Sequence, residues 1–366
     1  MFSTVKKLGF DFRPHVKTHK TVEGTLLELG DGTDFCTKRI VISTLAEAWN
    51  LLPLCKSGRI EDILFSMPVV QSRIDELASL SRNVKHLRLM VDNEEQLDSL
   101  IRYNEEQKYL PKWSLFVKIN MGSDRAGFEL ESPELRKALK RILSSDSFEL
   151  YGFYCHAGHS YGCHSIEEAE KVLLDEINSA NSAAKIAREY SEFIEPVLSV
   201  GATPTAHAAY LYSSSQISEK VYGKIELHAG NFAFCDLQQV GTNCCKLEDV
   251  ASFVLAEVVS AYPKRGKGPG EELINAGVLG LGRETGPIKG YGKVKFPAEY
   301  GKWIVGRVSQ EHGVLTVDGD DTMIPVGTKV GIYPQHICIA AACYPWYYVV
   351  DGGDEVVDIW VPCRGW

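Results

Sequence analysis

The feature that most constrains the fold is a repeated alternation of short apolar runs and polar helical stretches over about the first 240 of 366 residues. Eight apolar runs of strand length are each followed by a stretch with helical periodicity. Such alternation is typical of a parallel sheet, and eight repeats predict a (β/α)8 barrel, the TIM barrel. The predicted strands are Phe12–Lys17, Ile40–Ser43, Ile63–Phe65, Leu87–Val91, Leu115–Ile119, Leu150–Tyr154, Val197–Val200 and Ile225–Leu227.

The pattern changes after about residue 250, where apolar runs are separated by glycine and aspartate turns. This pattern predicts an all-β module, and residues 263–272 are expected to form a loop between two strands. We expect a barrel domain over residues 1–245 and a β-rich domain over residues 246–366. The predicted strands of the module are Phe253–Tyr262, Trp303–Ser309, Val314–Val317, Lys329–Tyr333, Tyr347–Val350 and Glu355–Val361.

Composition excludes several classes of partner. With 45% hydrophobic and 24% charged residues the chain is globular, and its net charge of -9 argues against binding to nucleic acid or to an anionic membrane. The longest apolar stretch, residues 337–350, is interrupted by Pro345 and is too short to span a bilayer. Ten dispersed cysteines fit reduced thiols, so we expect a cytoplasmic protein.

Arg13, His15 and Lys17 occupy alternate positions in the segment RPHVKTHK, at the end of the first predicted strand. Residues two apart in a strand share a face. Three basic side chains directed into a packed interior indicate an anion or an electrophile there. A lysine held among cations also loses its proton more easily, as an amine that attacks a carbonyl must. The alternative is a solvated basic turn.

In a barrel of this kind, chemistry belongs at the carboxyl ends of the strands. Tyr154 and Tyr161 flank a glycine-containing loop there, where small residues allow a flat ligand to approach and tyrosines can hydrogen-bond its substituents. The next strand leads into Thr203 at a predicted helix start, a favourable position for a phosphate, and the last strand ends in a glycine turn at residues 228–231. The alternatives are half-buried packing tyrosines, a plain helix cap and a plain turn.

His336 and Cys338 lie two residues apart in a predicted strand, so they are expected to share a face. An imidazole and a thiolate together favour zinc. Two ligands are too few for a structural site, so a metal there would keep positions open for water or substrate. The alternative is a buried cysteine beside a histidine whose hydrogen bonds are satisfied.

The octet at residues 13–20 resembles the cofactor-lysine motif of the D-serine dehydratase and D-threonine aldolase family, pyridoxal-phosphate enzymes with an alanine-racemase-like fold. Similar segments run nearly to the C-terminus. The resemblance implies that Lys17 forms a Schiff base with pyridoxal phosphate. The chain has Ala229 where the family often has proline and Phe232 where tyrosine is common, and neither change removes a backbone donor. The other cofactor contacts implied by the resemblance are Tyr154, Tyr161, Thr203, Gly230 and Asn231.

The dehydratase branch of this family carries His-x-Cys and binds zinc, whereas the aldolase branch typically has His-x-Asp. The resemblance therefore implies zinc at His336 and Cys338, and conversion of D-serine to pyruvate and ammonia, as in the fungal members. Lys17 would then remove the α-proton, and zinc would act as a Lewis acid on the β-hydroxyl. Four further basic residues are candidates for supporting the site or binding the substrate carboxylate: Arg13, His15, His19 and His159.

Three alternative functions remain open at this point. A D-threonine aldolase would use the same lysine but cleave the α–β carbon bond, and a racemase would need a second catalytic acid that the sequence does not identify. The third is an inactive pyridoxal-phosphate-binding protein. The resemblance also implies a homodimer. Because family members usually carry some tens of residues before the lysine motif, the chain is expected to be short at its N-terminus, with apolar surface uncovered near Phe10 and Phe12.

Overall fold

The computed structural model describes residues 1–108, 111–217, 219–317 and 319–365, which form two compact units. The first unit comprises residues 1–160 and 167–230 together with the C-terminal residues from Pro362, and the second comprises Tyr161–Ile166 and Asn231–Val361. Each unit therefore draws on more than one stretch of chain. The division into domains at residues 245 and 246 stays a prediction.

The first unit contains eight parallel strands. They are β1 (Asp11–Pro14), β2 (Arg39–Ile42), β3 (Asp62–Pro68), β4 (His86–Val91), β5 (Trp113–Lys118), β6 (Phe148–Tyr154), β7 (Val197–Val200) and β8 (Lys224–Ala229). Their order in the sheet is β1-β8-β7-β6-β5-β4-β3-β2, and an isolated parallel bridge between His15 and Val41 brings the two edges together. This nearly closed barrel confirms the predicted fold class.

Helices alternate with these strands. They are α1 (Phe2–Leu8), α2 (Val22–Leu29), α3 (Leu45–Asn50), α4 (Leu52–Lys56), α5 (Ile74–Ser81), α6 (Glu94–Gln107), α7 (Pro133–Ser144), α8 (Ile166–Arg188) and α9 (Thr203–Ala208). Side chains cap the starts of α3 and α6: the Thr44 side chain accepts a hydrogen bond from the Glu47 amide, and the Asn93 side chain accepts one from the Gln96 amide. No helix in the described ranges combines the length and apolar character needed to cross a membrane.

The first strand is shorter than the sequence predicts. β1 ends at Pro14, and Val16–Thr18 form a 3-10 turn, so the prediction that Arg13, His15 and Lys17 alternate along one strand was wrong. The His15 amide donates to the Ala229 carbonyl at 2.8 Å, and His15 then caps the turn through its side chain. Lys17 consequently lies in the loop at the carboxyl end of the barrel.

Arg13 is completely buried in the barrel interior. Its Nη1 lies 2.6 Å from Asp62 Oδ1, and its Nε lies 2.8 Å from Glu226 Oε1. Burial opposes the charged form of Arg13, but the two carboxylates outweigh it and raise the pKa of Arg13 above its usual value. An unpaired buried guanidinium would cost on the order of several kcal/mol. The two carboxylates offset this cost, so Arg13 is a structural residue of the barrel core.

Phe10 and Phe12 are not left uncovered. Phe12 is 1% exposed and meets Phe2 of α1 edge to face at 5.9 Å between ring centroids. Phe10 is half-buried, and its ring lies 5.2 Å from that of Tyr212. The expectation that apolar surface is uncovered at these two side chains is therefore wrong.

The second unit is built on a closed antiparallel barrel, which confirms the β-rich module. Its strands are β9 (Val254–Pro263), β10 (Gly270–Ile274), β11 (Gly292–Phe296), β12 (Ile304–Val308), β13 (Gly313–Thr316) and β14 (Lys329–Pro334), in the order β10-β13-β12-β11-β14-β9. Trp303 and Ile332 are fully buried in its core. The sequence missed β11, where lysines alternate with apolar residues, and β10 begins inside the predicted loop at 263–272.

Three short helices and one hairpin complete the second unit. The helices are α10 (Leu237–Gly241), α11 (Val278–Leu281) and α12 (Ile337–Ala342). β15 (Tyr347–Val350) and β16 (Val356–Trp360) pair antiparallel in a two-stranded sheet of their own. Both strands of this hairpin are predicted by the sequence.

Candidate active site

Lys17 lies half-buried in the turn after β1. Its backbone amide donates to His15 Nδ1 at 3.4 Å, and His15 Nε2 lies 3.2 Å from Ser43 Oγ, just after β2. The loop after β8 approaches the same turn at Gly230, where a Cβ would stand 3.0 Å from the His15 carbonyl and 3.4 Å from Thr18 Oγ1. The structure therefore brings Lys17 and Gly230 into neighbouring loops at one end of the barrel, and the absence of a side chain at Gly230 permits that approach.

Basic side chains from several strand ends interact with Lys17. His15 is buried, and burial, followed by the positive charge of Lys17, holds the pKa of His15 well below its usual value. For His156, just after β6, the same two causes lower the pKa to about 3. These histidines are therefore neutral at physiological pH, and they act as hydrogen-bonding groups there.

Lys118 ends β5 and is 6% exposed. Burial, followed by the charge of Arg125, lowers the pKa of Lys118 to about 8. Lys17 adds a smaller repulsion, which places these two amines within electrostatic reach of one another. A buried group with such a shifted pKa at the catalytic end of a barrel marks a functional site, and the gathered positive charge favours an anionic ligand.

Tyr154 and His228 stack face to face. Their ring centroids are 4.1 Å apart with an interplanar angle of 9°, and Lys118 Nζ lies 4.9 Å from the Tyr154 ring centroid. Ser199 Oγ donates to Glu226 Oε1 at 2.9 Å and lies 3.1 Å from His228 Nδ1. Because the serine has one proton and gives it to the carboxylate, His228 must donate from Nδ1. His228 Nε2 is then a bare acceptor, buried and without a hydrogen-bond partner among the described residues.

The loop after β7 carries Thr203, which begins α9 and is 2% exposed. Gly201 has a φ of +143°, and a Cβ there would stand 2.2 Å from the His228 carbonyl. His156 Nδ1 donates to the Gly201 carbonyl at 2.8 Å, so His156 presents Nε2 as an acceptor. Thr203 is thus held in a loop that is tied to both neighbouring strand ends.

Four other predicted site residues belong to the second unit: Tyr161, Asn231, His336 and Cys338. The rings of Tyr161 and His336 are 6.4 Å apart at an interplanar angle of 24°. Asn231 Nδ2 donates to Asp236 Oδ2 at 2.6 Å, and the same carboxylate oxygen accepts from the Ile337 amide at 3.0 Å. Within this unit, the structure therefore joins Asn231 to the segment that carries His336.

The predicted strand context of His336 and Cys338 was wrong. β14 ends at Pro334, His336 is the N-cap of α12, and Cys338 lies in the first turn of that helix. The alanine-rich segment after His336 favours helix, and the Asp236 carboxylate satisfies the Ile337 amide at its start. His336 Nδ1 lies 4.0 Å from Glu284 Oε2. Across the described ranges, no group of three or more His, Cys, Asp or Glu side chains is arranged to hold a metal. Zinc binding stays a prediction.

The structure adds to the site three groups that were not predicted from the sequence: Lys118, His156 and His228. Each lies at or near the carboxyl end of a barrel strand, so the strand-end rule that found Tyr154 could have found them. Of the other candidate basic residues, His159 is exposed. His19 is buried, and its Nε2 lies 3.3 Å from Glu28 Oε2.

Two family profiles match the chain. Residues 35–217 match the family described as "Alanine racemase, N-terminal domain", and residues 251–350 match the family described as "Putative serine dehydratase domain". The chain is 47% identical to the D-serine dehydratase of Schizosaccharomyces pombe, with 100% of this chain and 88% of that protein covered. It is 39% identical to the D-serine dehydratase of Saccharomyces cerevisiae, with 100% of this chain and 92% of that protein covered.

A solved structure is similar over the same length. D-threo-3-hydroxyaspartate dehydratase from Delftia sp. HT23 has a TM-score of 0.82 and 27% sequence identity, with 100% of this chain and 93% of that chain covered. A cysteine mutant of the same enzyme, in the metal-free form, has a TM-score of 0.83. The likeness in sequence and in structure therefore extends beyond the cofactor-lysine octet to the whole chain.

Proposed function

The chain belongs to the D-serine dehydratase family and is a lyase, and from this premise we propose that it converts D-serine to pyruvate and ammonia with pyridoxal 5'-phosphate and zinc. The relatives named for D-serine and D-threo-3-hydroxyaspartate support dehydration of D-amino acids. The observation that carries the proposal is the cluster of basic groups around Lys17, with a buried acceptor on His228 that has no hydrogen-bond partner among the residues the structure describes.

The residues near Lys17 fit pyridoxal phosphate. Gly230 permits the close approach of two loops, Thr203 offers a hydroxyl and a helix-start amide to a phosphate, and His228 Nε2 offers a hydrogen-bond acceptor. With the stacked ring of Tyr154, these groups suit a flat, anionic heteroaromatic ligand. When bound, the cofactor would supply an electron sink for the electrons released at the substrate α-carbon.

We assign removal of the α-proton to Lys17 Nζ. Lys17 would hold the cofactor before the substrate binds, and its freed amine would then be the base beside the substrate α-carbon. Lys118 lies within electrostatic reach of Lys17, and the neutral imidazoles of His15 and His156 lie within the same reach. His156 and His228 each hold the Nδ1 proton in a defined direction, so their Nε2 atoms can only accept.

We assign the zinc to His336 and Cys338. Imidazole nitrogen and thiolate sulfur are a donor pair that selects zinc, and with two protein ligands the ion would keep positions open. A zinc ion would act as a Lewis acid on the substrate β-hydroxyl, which is a poor leaving group unaided. Asp236 supports the assignment, because it fixes the start of the helix that follows His336.

The function is tested by comparing D-serine with L-serine. We expect pyruvate release from D-serine to be at least ~100-fold faster, because a site built for one enantiomer leaves polar groups of the other unpaired. The measurement is a coupled lactate dehydrogenase assay on the full chain, with D-threonine as a second substrate. Equal rates for the two serines would contradict the proposal, as would release of acetaldehyde and glycine from D-threonine without 2-oxobutanoate.

We also propose a homodimer that forms through the β15–β16 hairpin. Tyr348 and Ile359 are directly opposed in the hairpin and are 64% and 50% exposed. Trp346 meets Tyr348 edge to face, and Val357 is also exposed. Contiguous exposed apolar side chains mark an interaction surface, and a hairpin can meet a second copy of itself about a two-fold axis.

Replacing Tyr348 and Ile359 together by serine is expected to convert the dimer to a monomer. The two substitutions remove the apolar contact area at the centre of the patch, and light scattering after size exclusion measures the mass. The matched control is Leu255→Ser, because Leu255 is an equally exposed apolar residue outside the hairpin, at 61% exposure. A parent protein that runs as a monomer, or a dimer that survives both hairpin substitutions, would exclude this surface.

We propose a cytoplasmic location for the enzyme. The ten cysteines are dispersed along the chain, and Cys155, Cys163 and Cys235 are buried. A reducing compartment keeps such dispersed thiols reduced, whereas an oxidising one favours disulfides.

A further inference from the structure

Glu176 lies in the middle of α8 and is completely buried. Its carboxyl group accepts hydrogen bonds from three donors. Its Oε1 accepts from the Ala157 amide at 2.7 Å and from the Gly201 amide at 3.2 Å. Its Oε2 accepts from Thr205 Oγ1 at 2.8 Å. One side chain therefore joins a helix to backbone and side-chain donors from two separate loops.

The two loops are those that follow β6 and β7. Ala157 comes directly after His156, whereas Gly201 and Thr205 bracket Thr203. Thr205 Oγ1 also accepts from the Ala202 amide at 2.8 Å, which tightens the segment between the two Glu176 contacts. Thr203 is consequently held from both sides by residues that Glu176 anchors.

The protonation of Glu176 bears on which substitutions preserve its contacts. Burial raises the pKa of Glu176 to about 8, and the hydrogen bonds from Thr205, Ala157 and Gly201 oppose that rise without cancelling it. A neutral carboxyl group has one acceptor oxygen and one hydroxyl. Glutamine has the same shape, with a carbonyl oxygen and an amide in their place, so it can keep the backbone contacts to Ala157 and Gly201.

We propose that Glu176 is a positioning residue for the phosphate of the cofactor: by fixing Gly201 and Thr205, it holds Thr203 in the geometry that receives that phosphate. The inference rests on the proposed pyridoxal phosphate site. Groups that bind a ligand work best when their own loop is locked by a second layer of hydrogen bonds. Glu176 supplies that layer for Thr203 from a helix, a more rigid element than a loop.

The test compares two ligands that differ in the phosphate alone. Dissociation constants for pyridoxal phosphate and for pyridoxal are measured by absorbance on the full chain after the cofactor has been removed. For Glu176→Leu, we expect pyridoxal phosphate to bind about tenfold more weakly or worse, because two backbone donors lose their acceptor, and pyridoxal to change by less than about threefold. Glu176→Gln is expected to show the same ratio of the two dissociation constants as the parent protein.

Two further variants keep the test decisive. Thr205→Val preserves shape and removes one of the three contacts, so it should show a smaller loss of the same kind even if Glu176→Leu does not fold. Glu272→Leu is the matched control, because it removes a fully buried carboxylate of the second unit that accepts from the Ile324 amide. It should lower stability without changing the ratio of the two affinities.

The outcomes separate this inference from the function on which it rests. If the parent binds pyridoxal phosphate no better than pyridoxal, the proposed phosphate site at Thr203 is wrong, and the role proposed for Glu176 is wrong with it. If the parent prefers pyridoxal phosphate, but Glu176→Leu and Thr205→Val keep that preference unchanged, the phosphate site is retained and the role of Glu176 is overturned. A loss of that preference in Glu272→Leu would reveal a general effect of instability and would also overturn the role.

Discussion

Lys17→Ala is expected to abolish both D-serine dehydration and the covalent attachment of the cofactor. In the proposed mechanism the lysine amine would be the nucleophile for the cofactor aldehyde and the base for the substrate α-proton, and loss of a positioned base alone costs ~100- to 10,000-fold in rate. The visible absorption band of the bound cofactor should disappear, and pyruvate release should fall by at least about a thousandfold. Spectra and coupled assays on the same preparation measure the two effects together.

Lys20→Ala is the matched control, since Lys20 lies three residues further along the same octet. Its Nζ pairs with Glu47 Oε1 at 3.2 Å, so its charge already has a structural partner. The variant should keep the cofactor band and most of the activity, with some loss of stability. The assignment fails if the band survives Lys17→Ala and disappears in Lys20→Ala.

Removal of zinc is expected to stop dehydration while the cofactor stays bound. A Lewis acid on the departing hydroxyl stabilises the transition state by several kcal/mol, so chelation should slow pyruvate release by about 100-fold or more. Zinc added back should restore the rate. His336→Ala and Cys338→Ser should each lower the zinc content measured by atomic emission, with an unchanged cofactor spectrum.

His312→Ala provides the comparison for these metal variants, because His312 is an exposed histidine of the same unit. It should retain zinc and activity. A chelated enzyme that still holds its cofactor and releases pyruvate at the full rate would show that the metal has no part in expelling hydroxide. Loss of the cofactor band on chelation would instead assign the metal a role in cofactor binding.

The barrel was predictable because its strands carry their own signal. β7 coincides with the predicted Val197–Val200, since a strand buried on both faces reads as a short continuous apolar run. The start of α6 depends on a similarly local contact, because the Asn93 side chain caps the helix by accepting a hydrogen bond from the Gln96 amide three residues later. Elements defined by such local contacts can be read from sequence alone.

The turn at Lys17 and the helix after His336 could not be read in this way. Both segments contain polar residues that alternate as in a strand, and each makes a hydrogen bond to a partner far away in the chain. The His15 amide is bound by the Ala229 carbonyl, and the Ile337 amide by Asp236, over a hundred residues earlier in the chain. Tertiary hydrogen bonds of this kind override a local pattern.

The residues of the candidate site also differ in how far the local sequence predicts them. Lys17 and Thr203 were found because they stand at motif positions and strand ends, where barrel chemistry belongs. Lys118 and His228 also stand at strand ends, but only their burial and their neighbours, which shift their pKa values, distinguish them from the other strand-end residues. Burial of a base depends on how several strands pack together, and that packing is not written in the segment around the base itself.

The hydrogen-bond chain from Arg13 through Glu226 and Ser199 to His228 limits how this barrel can be re-engineered. Replacing a buried ion pair by well-packed apolar residues often makes a protein more stable. Here the same change would release the Ser199 hydroxyl from the carboxylate, so that it could donate to His228 and allow the imidazole to adopt its other tautomer. Thermostabilising substitutions in the barrel core would thereby change the tautomer of His228 at the carboxyl end of the barrel, and with it the hydrogen bonds that the site can make.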